Sequence, residues 1–197
     1  MTTGRKILRS LRNKKVAVVH KMDEDGRTIV LQLQRIGCQV KQLWPSPEQL
    51  PKGIDAVFFV VDPETSSYFD WLGEKGELAL IAIISYENPT VLEVLSDLKV
   101  HSVIVKPVRS LDILARLVTA LASFKYEERL VLRIEKLDET LKTRRFVERA
   151  MKILAKNNDL PDEEAYALIR AEAMNKQITL FEMANSIINV DRLMNKQ

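Results

Sequence analysis

The sequence predicts a doubly wound α/β domain followed by an all-α C-terminal part. Short runs of strand length recur at residues 16–20, 39–43, 56–61, 78–84 and 103–105. Four of these runs are continuously apolar, as expected for parallel strands that are covered on both faces. The run at 39–43 alternates weakly, as in an edge strand. Strands and helical segments alternate, which predicts a five-stranded parallel sheet with helices on both faces.

The segments between the predicted strands carry apolar residues at helical spacing. Residues 28–36 form one such segment and end at Gly37, a residue that commonly caps helix C-termini. Residues 88–98 and 111–122 show the same pattern. The pattern is weakest at residues 68–76, where two glycines lower the helix propensity. In such a fold, ligands bind beyond the C-terminal ends of the strands.

Composition indicates a globular protein that acts in the cytoplasm. Of the 197 residues, 46% are hydrophobic and 29% are charged, which supports a packed core with solvated helices. The net charge of +3 is too small to establish a polyanionic partner, because charge acts through local clustering. We find neither a membrane-spanning apolar run nor a signal sequence. The single Cys38 cannot form an internal disulfide and is predicted to be a small buried hydrophobe.

A possible dimerisation seam follows the α/β domain, within residues 124–143. Apolar residues spaced 4, 3 and 4 positions apart form a short coiled-coil pattern flanked by charged residues: Leu130, Ile134, Leu137 and Leu141. The alternative is an amphipathic helix that packs on its own domain, since fewer than three heptads are present. We expect a homodimer.

Residues 144–190 are predicted to form a bundle of three short helices. The first continues from the seam without an intervening Gly or Pro, and residues 157–161 end it. Pro161 suits the first turn of a second helix, whose acidic start at residues 162–164 complements the helix dipole. Thr179 and Glu182 form a capping box that begins the third helix.

The motifs of this predicted bundle resemble those of the ANTAR family. The similarity is carried by Arg145-x4-Ala150-x2-Ile153-Leu154, Glu164-Ala165-Tyr166, Ile169-Arg170-x2-Ala173-Met174 and Met183-Ala184-x2-Ile187. Many ANTAR domains have Lys directly after the first of these alanines, whereas this chain has Met151 and then Lys152. Either Lys152 takes over that contact or the RNA preference differs. Residues 31–38 and Trp44-Pro45 resemble the AmiR-type amidase-operon regulators.

This resemblance implies an architecture and a function. The architecture is a flavodoxin-like receiver at residues 12–123, a coiled-coil linker at 124–143 and a three-helix ANTAR bundle at 144–190. ANTAR proteins bind RNA stem-loops in transcription antitermination. The expected function is therefore binding of a stem-loop in nascent leader mRNA, without enzymatic activity or a cofactor. By the same resemblance, the controlling partner would be a small-molecule-sensing protein of amide-sensor type.

The predicted receiver has lost the residues that phosphoryl transfer requires. That reaction needs an Asp at the end of the third strand and a pair of acids after the first strand to hold a divalent cation. Lys21-Met22 stands at the predicted place of the acid pair, and Val60 stands at the phosphoacceptor position. Asp62 is the candidate substitute, while Ser85 and Lys106 retain accessory positions of the receiver pocket. The sequence therefore predicts a pseudo-receiver.

The sequence is also compatible with two alternative functions. One is a phosphorylation-dependent response regulator that uses Asp62, with a metal held by acids from residues 23–25, although a turn-region cluster explains these acids more simply. The other is a dimerising adaptor that binds no nucleic acid. His20 and His101 lack partners at metal-ligand spacing, so we predict no histidine metal site.

Cationic residues form the candidate RNA-binding surface. Arg145, Arg149, Lys152 and Lys156 fall on one helical stripe, for which a solvated helix face is the simplest alternative. Cationic side chains bind phosphates, whereas loop recognition requires bases stacked on a ring or a guanidinium. Tyr166 and Arg170, one turn apart, are predicted to share that stacking role, and Lys176 in the next turn to add a contact.

Overall fold

A five-stranded parallel sheet forms the N-terminal part of the protein. The computed structural model describes residues 9–62 and 78–194. The strand order is β2-β1-β3-β4-β5, so the direction of winding reverses between β1 and β3. The strands are β1 Lys15–Val19, β2 Gln39–Leu43, β3 Ala56–Val60, β4 Ala79–Ile84 and β5 Ser102–Val105. The predicted fold class is confirmed, and β2 lies at the edge as its weaker pattern indicated.

The first strand ends one residue earlier than the apolar run indicated. The run was predicted to end at His20, but β1 ends at Val19. The two residues that directly follow the strand are therefore His20 and Lys21, rather than Lys21 and Met22. Neither His20 nor Lys21 is an acid, so the conclusion about the missing acid pair is unchanged.

Helices α1 (Glu24–Ile36) and α3 (Ser110–Asn158) cover one face of this sheet, and α2 (Pro89–Asp97) covers the other. The further described helices are α4 Asp162–Asn175 and α5 Leu180–Met194. Gly37 caps α1 with φ of 97°, a left-handed conformation that glycine adopts without strain. The weak helix predicted at residues 68–76 lies outside the described residues. None of the described helices is both long and apolar enough to cross a membrane.

The alternation of side chains along each strand divides the core into two layers. Val16 and Val18 pack with Ile29 of α1 and Ile113 of α3 on one face. The intervening strand residues pack with Val91 of α2 on the other face. Both layers are apolar, which explains why the sequences of the strands are continuously apolar.

Cys38 is buried in the first of these layers, as predicted. Burial, together with the nearby carboxylate of Asp55, raises the pKa of its thiol. The reactive thiolate is thereby disfavoured.

The helix α3 is continuous where the sequence indicated two segments. The sequence predicts separate segments at residues 111–122 and from Phe124 onward, but the structure joins them into one helix. Neither Gly nor Pro occurs between Ser110 and Asn158, so no residue interrupts the backbone hydrogen bonds. The chain divides into two compact units, one ending at Glu128 and one beginning at Arg129, and α3 contributes to both.

The second unit contains the predicted bundle of short helical segments. Its core combines buried residues from the end of α3, from α4 and from α5: Val147, Ala150, Ile169, Ala184 and Ile188. The rings of Phe146 and Phe181 pack with their centroids 4.8 Å apart. The capping box is confirmed, because Thr179 N–H donates to Glu182 at 2.8 Å and Glu182 N–H donates to Thr179 Oγ1 at 3.2 Å.

Candidate RNA-binding surface and receiver pocket

A cavity of about 520 Å³ lies at the C-terminal edge of the sheet. Its described lining comes from the ends of all five strands: Val19, His20, Lys21, Trp44, Pro45, Ser46, Val60, Asp62, Ser85 and Lys106. The structure thus brings together Asp62, Ser85 and Lys106, which the sequence singled out separately. Val60 forms part of the wall at the end of β3, where phosphoryl transfer would need a carboxylate.

The acids that follow β1 make contacts within the domain. Asp23 caps α1 and accepts a hydrogen bond from Gly26 N–H at 2.9 Å. Asp25 accepts a hydrogen bond from Val108 N–H at 2.8 Å and therefore connects α1 to the loop after β5. Gly26 is required here, because a Cβ atom at this position would lie 2.2 Å from the Lys21 carbonyl oxygen.

The Asp23 carboxyl is held in its charged form. Partial burial acts to raise its pKa, but the hydrogen bond from Gly26 and the charges of His20, Lys106 and Lys21 outweigh that effect. The pKa of Asp23 is therefore below its ordinary value. The capping carboxylate is thus charged at neutral pH, and its negative charge stabilises α1 by interacting with the positive end of the helix dipole.

His20, Asp23 and Asp25 form the one group of possible metal ligands among the described residues, with ligand atoms within 4.8 Å of one another. His20 Nδ1 lies 2.7 Å from the Lys21 carbonyl oxygen, and both carboxylates already accept backbone N–H groups. The ammonium groups of Lys21 and Lys106 lie 3.5 Å from Asp23 and 3.9 Å from Asp25, respectively. Two cations beside the cluster oppose a divalent ion, so we assign the cluster a structural role.

Replacing Asp23 with Ala should lower the free energy of unfolding of the α/β domain by about 1 kcal/mol, because the α1 cap is lost. The domain contains both tryptophans, so urea denaturation followed by tryptophan fluorescence reports on it. Because the folded pKa of Asp23 is depressed, its stabilisation is complete above the unfolded pKa and disappears as the pH falls through the folded value. Asp23→Asn keeps a capping oxygen and should lose less stability at neutral pH. Equal losses of unfolding free energy in Asp23→Asn and Asp23→Ala would show that the loss of the helix cap does not cause the destabilisation.

A stripe of unpaired cations runs along the end of α3. Arg145, Arg149, Lys152 and Lys156 are all exposed, and none has an ion-pair partner within residues 9–62 and 78–194. At 3.6 residues per turn, the four positions fall within an arc of about 60°. The buried residues Val147 and Ala150 lie outside this arc.

The two predicted stacking residues lie on the exposed side of α4. Tyr166 is 40% exposed, and Arg170 is exposed one turn further along the helix. Ala165 and Ile169, beside them in sequence, are buried and fix the orientation of α4. Lys176 follows α4 and is exposed, with its Nζ 3.9 Å from Glu172 Oε2.

Tyr166 borders a second cavity, of about 590 Å³, which lies within the second unit. The other lining residues, mainly from α3, are Lys136, Glu139, Thr140, Thr143, Arg144, Val147, Glu148, Met151 and Leu180. The cationic stripe does not line this cavity. Lys136 and Arg144 were not singled out from the sequence, because nothing in their spacing indicated that they lie near Tyr166.

The predicted seam residues are all exposed in the single chain. Leu130, Ile134, Leu137 and Leu141 have between 40% and 57% of their surface exposed. Leu130 and Leu137 alternate with Ile134 and Leu141 at the spacing of coiled-coil d and a positions. The seam therefore forms an apolar stripe on the surface of α3.

The sheet topology and the pocket together define a receiver-like domain, which is followed by a helical bundle. The family described as "AmiR, N-terminal" matches residues 14–121, which is more than half of the chain. The chain therefore belongs to this AmiR family. The ANTAR domain matches residues 135–188.

The chain is also similar to individual proteins. The chain is 28% identical to the aliphatic amidase regulator of Pseudomonas aeruginosa over 187 residues, which cover 92% of this chain and 94% of that protein. A solved fusion that contains the yeast Spc42 trimeric coiled coil has a TM-score of 0.50 at 15% identity, covering 66% of this chain and 92% of that one. A CheY-like response regulator of Mesorhizobium loti has a TM-score of 0.45 at 16% identity, covering 54% of this chain and 97% of that one.

The two family matches establish the functional class. A receiver-like AmiR domain joined to an ANTAR domain identifies an RNA-binding regulator of transcription antitermination.

Proposed function

We propose that this protein binds stem-loops in nascent leader mRNA through the cationic stripe of α3 and thereby prevents formation of a terminator hairpin. The observation that supports this proposal best is the absence of ion-pair partners for Arg145, Arg149, Lys152 and Lys156 among the described residues. Unpaired cations on one face are available to phosphates without breaking existing contacts, and their binding releases counterions from the RNA. The protein then acts as a regulator rather than an enzyme, in the cytoplasm where the transcript is made.

Base recognition would come from α4. Tyr166 and Arg170 provide a ring and a guanidinium plane, the two kinds of group on which splayed loop bases stack. Ala165 and Ile169 bury the adjacent face, so the stacking groups are held on a packed helix. Lys176 adds a cation beyond the end of α4. Phosphate contacts and base contacts would thus come from different elements.

The seam on α3 would join two copies of the chain in parallel. Ile134 at an a position with Leu130 and Leu137 at d positions favours two strands. Arg133 and Asp138 flank this seam at g and e positions, where a parallel pair brings opposite charges together. A dimer would present two bundles to the same RNA and raise the apparent affinity through multivalency.

The input to this regulator would be a protein contact. Val60 and Lys21 stand where phosphoryl transfer needs carboxylates. Control by contact therefore explains a receiver fold without these carboxylates better than control by phosphorylation does, and the resemblance to AmiR-type regulators favours a small-molecule-sensing partner of amide-sensor type. The partner would hold the protein inactive until an inducer releases it.

The RNA-binding proposal is tested with the full-length protein and a leader stem-loop that overlaps a terminator, taken from the operon beside its gene. We expect filter binding to favour this stem-loop over RNA of the same stem with a scrambled loop by at least about tenfold, since each stacked base contributes roughly 1–3 kcal/mol. Equal affinity for the two RNAs would contradict recognition of a stem-loop and favour a dimerising adaptor.

Incubation with acetyl phosphate and magnesium should leave Asp62 unmodified, because the pocket lacks the acid pair after β1 and a carboxylate at Val60. Intact-mass spectrometry detects the addition of a phosphoryl group. Asp62 is exposed at the cavity, which is the observation that keeps the alternative of a response regulator open. An adduct that forms in the natural protein and is absent in Asp62→Asn would establish that alternative.

A further inference from the structure

We propose that the cavity at the C-terminal edge of the sheet binds a small organic carboxylate that carries a planar ring. Its volume of about 520 Å³ lies in the range of small-molecule sites. The cavity includes the ends of β1 and β3, where the strand order reverses and ligands of open α/β sheets commonly bind. This role is separate from RNA binding, which uses the other unit.

Hydrogen-bond donors dominate the polar lining. Lys21 and Lys106 supply ammonium groups and Ser46 and Ser85 supply hydroxyls, whereas Asp62 is the one carboxylate among the described lining residues. Lys106 is the less exposed of the two cations: 18% of its side chain is exposed, compared with 60% of the Lys21 side chain. Its attraction to an anion is therefore screened less by water. At 3.9 Å, Asp25 is too far from Lys106 Nζ to form a hydrogen bond, so that nitrogen can donate to a ligand.

The apolar part of the lining distinguishes an organic ligand from a phosphoryl group. Val19, Val60 and Pro45 contribute apolar wall, and Trp44 borders the cavity with 57% of its surface exposed. An exposed indole offers a flat face on which a second ring can stack. A phosphoryl group has no apolar surface and would leave this part of the wall without a contact, whereas a ring would cover it.

His20 supplies an independent observation. The side chain lines the cavity and is fully buried, and its Nε2 has no hydrogen-bond partner among the described residues. Because the Lys21 carbonyl can only accept, Nδ1 donates to it. Buried polar atoms without a partner are uncommon in proteins, and a polar group of a bound ligand would account for this one.

Benzoate is the probe, and benzamide is its neutral counterpart of nearly the same shape. Titration of the full-length protein, followed by ligand-observed NMR, should show saturable benzoate binding with a Kd of about 1 mM or below, which is attainable for a ligand of this size. Benzamide should bind at least about tenfold more weakly, because it cannot pair with Lys106. Lack of saturation by benzoate up to about 10 mM, or equal binding of the two probes, would overturn the proposal.

Matched variants assign the binding to this cavity. Lys106→Met should weaken benzoate binding about tenfold while Lys106→Arg largely retains it, and Trp44→Leu should weaken it several-fold. Lys52→Met and Tyr126→Leu change exposed residues outside the cavity and should have no effect. Equal weakening by the control variants would contradict this location. Displacement of benzoate by equimolar inorganic phosphate with magnesium would overturn the proposal in favour of a phosphoryl site.

Discussion

Placing lysine at both Ile134 and Leu137 should convert a dimeric protein into monomers. Both side chains are more than half exposed in the single chain, and a coiled coil would bury them against a second copy. Two unpaired ammonium groups at that interface, each facing its counterpart, cost several kcal/mol, so the dimer Kd should rise by at least about a hundredfold. Sedimentation velocity measures the change directly.

Leu132→Lys is the matched control for this prediction. Leu132 is 60% exposed and Ile134 is 57% exposed, but Leu132 lies on the face of α3 away from the seam. Its replacement should leave the dimer intact, whereas Ile134→Lys alone should already weaken it. A natural protein that sediments as a monomer, or equal effects of the two single variants, would refute the seam.

Removing three cations of the stripe, in the variant Arg145→Ala with Arg149→Ala and Lys152→Ala, should weaken stem-loop binding by about a hundredfold at physiological salt. The slope of log K against log salt should become shallower by about two to three units. The reason is that a phosphate that no longer contacts a cationic side chain keeps its counterions when the protein binds. Helix content should be preserved, since all three side chains are exposed. Filter binding over a series of salt concentrations supplies both quantities.

A charge-matched control variant distinguishes binding at the cationic stripe from nonspecific electrostatic attraction between the protein and the RNA. Arg35→Ala with Lys41→Ala and Lys52→Ala removes the same charge from exposed positions of the other unit. It should change the affinity for the stem-loop by less than about threefold, because exposed charges outside the interface are largely screened by salt. If this control weakened binding as much as the stripe variant does, the proposed interface would be wrong.

Arg170→Ala tests the proposed stacking of a loop base on the guanidinium group, in the same filter-binding assay. We expect a loss of roughly 1–3 kcal/mol on the cognate stem-loop, the range for one stacked base. The salt slope should change less than it does for the stripe residues, because stacking releases few counterions. A large change in slope with equal weakening on all RNAs would make Arg170 a phosphate contact instead.

The fold could be predicted because its signals are local. Continuous apolar runs indicated strands buried on both faces, and the structure places alternate residues such as Val18 and Val19 in the two core layers. Gly37 and the pair Thr179 and Glu182 act within a few residues of their own position, so their caps were predictable. The sequence does not predict the continuity of α3, because the composition changes near Phe124 even though no Gly or Pro interrupts the helix.

The sequence by itself determined the order of the elements, the loss of the receiver's acid pair and the cationic stripe, because each follows from residue type and spacing along one segment. The tertiary structure decided which distant groups meet. The Asp25 carboxylate accepts a hydrogen bond from the N–H group of Val108, which lies 83 positions away in the sequence. Tyr166 lines the same cavity as Lys136 and Arg144. His20, which the sequence presented as the end of a strand, lines the receiver pocket with Nε2 unpaired among the described residues. Such pairings depend on how elements pack in three dimensions, and neither periodicity nor spacing encodes that packing.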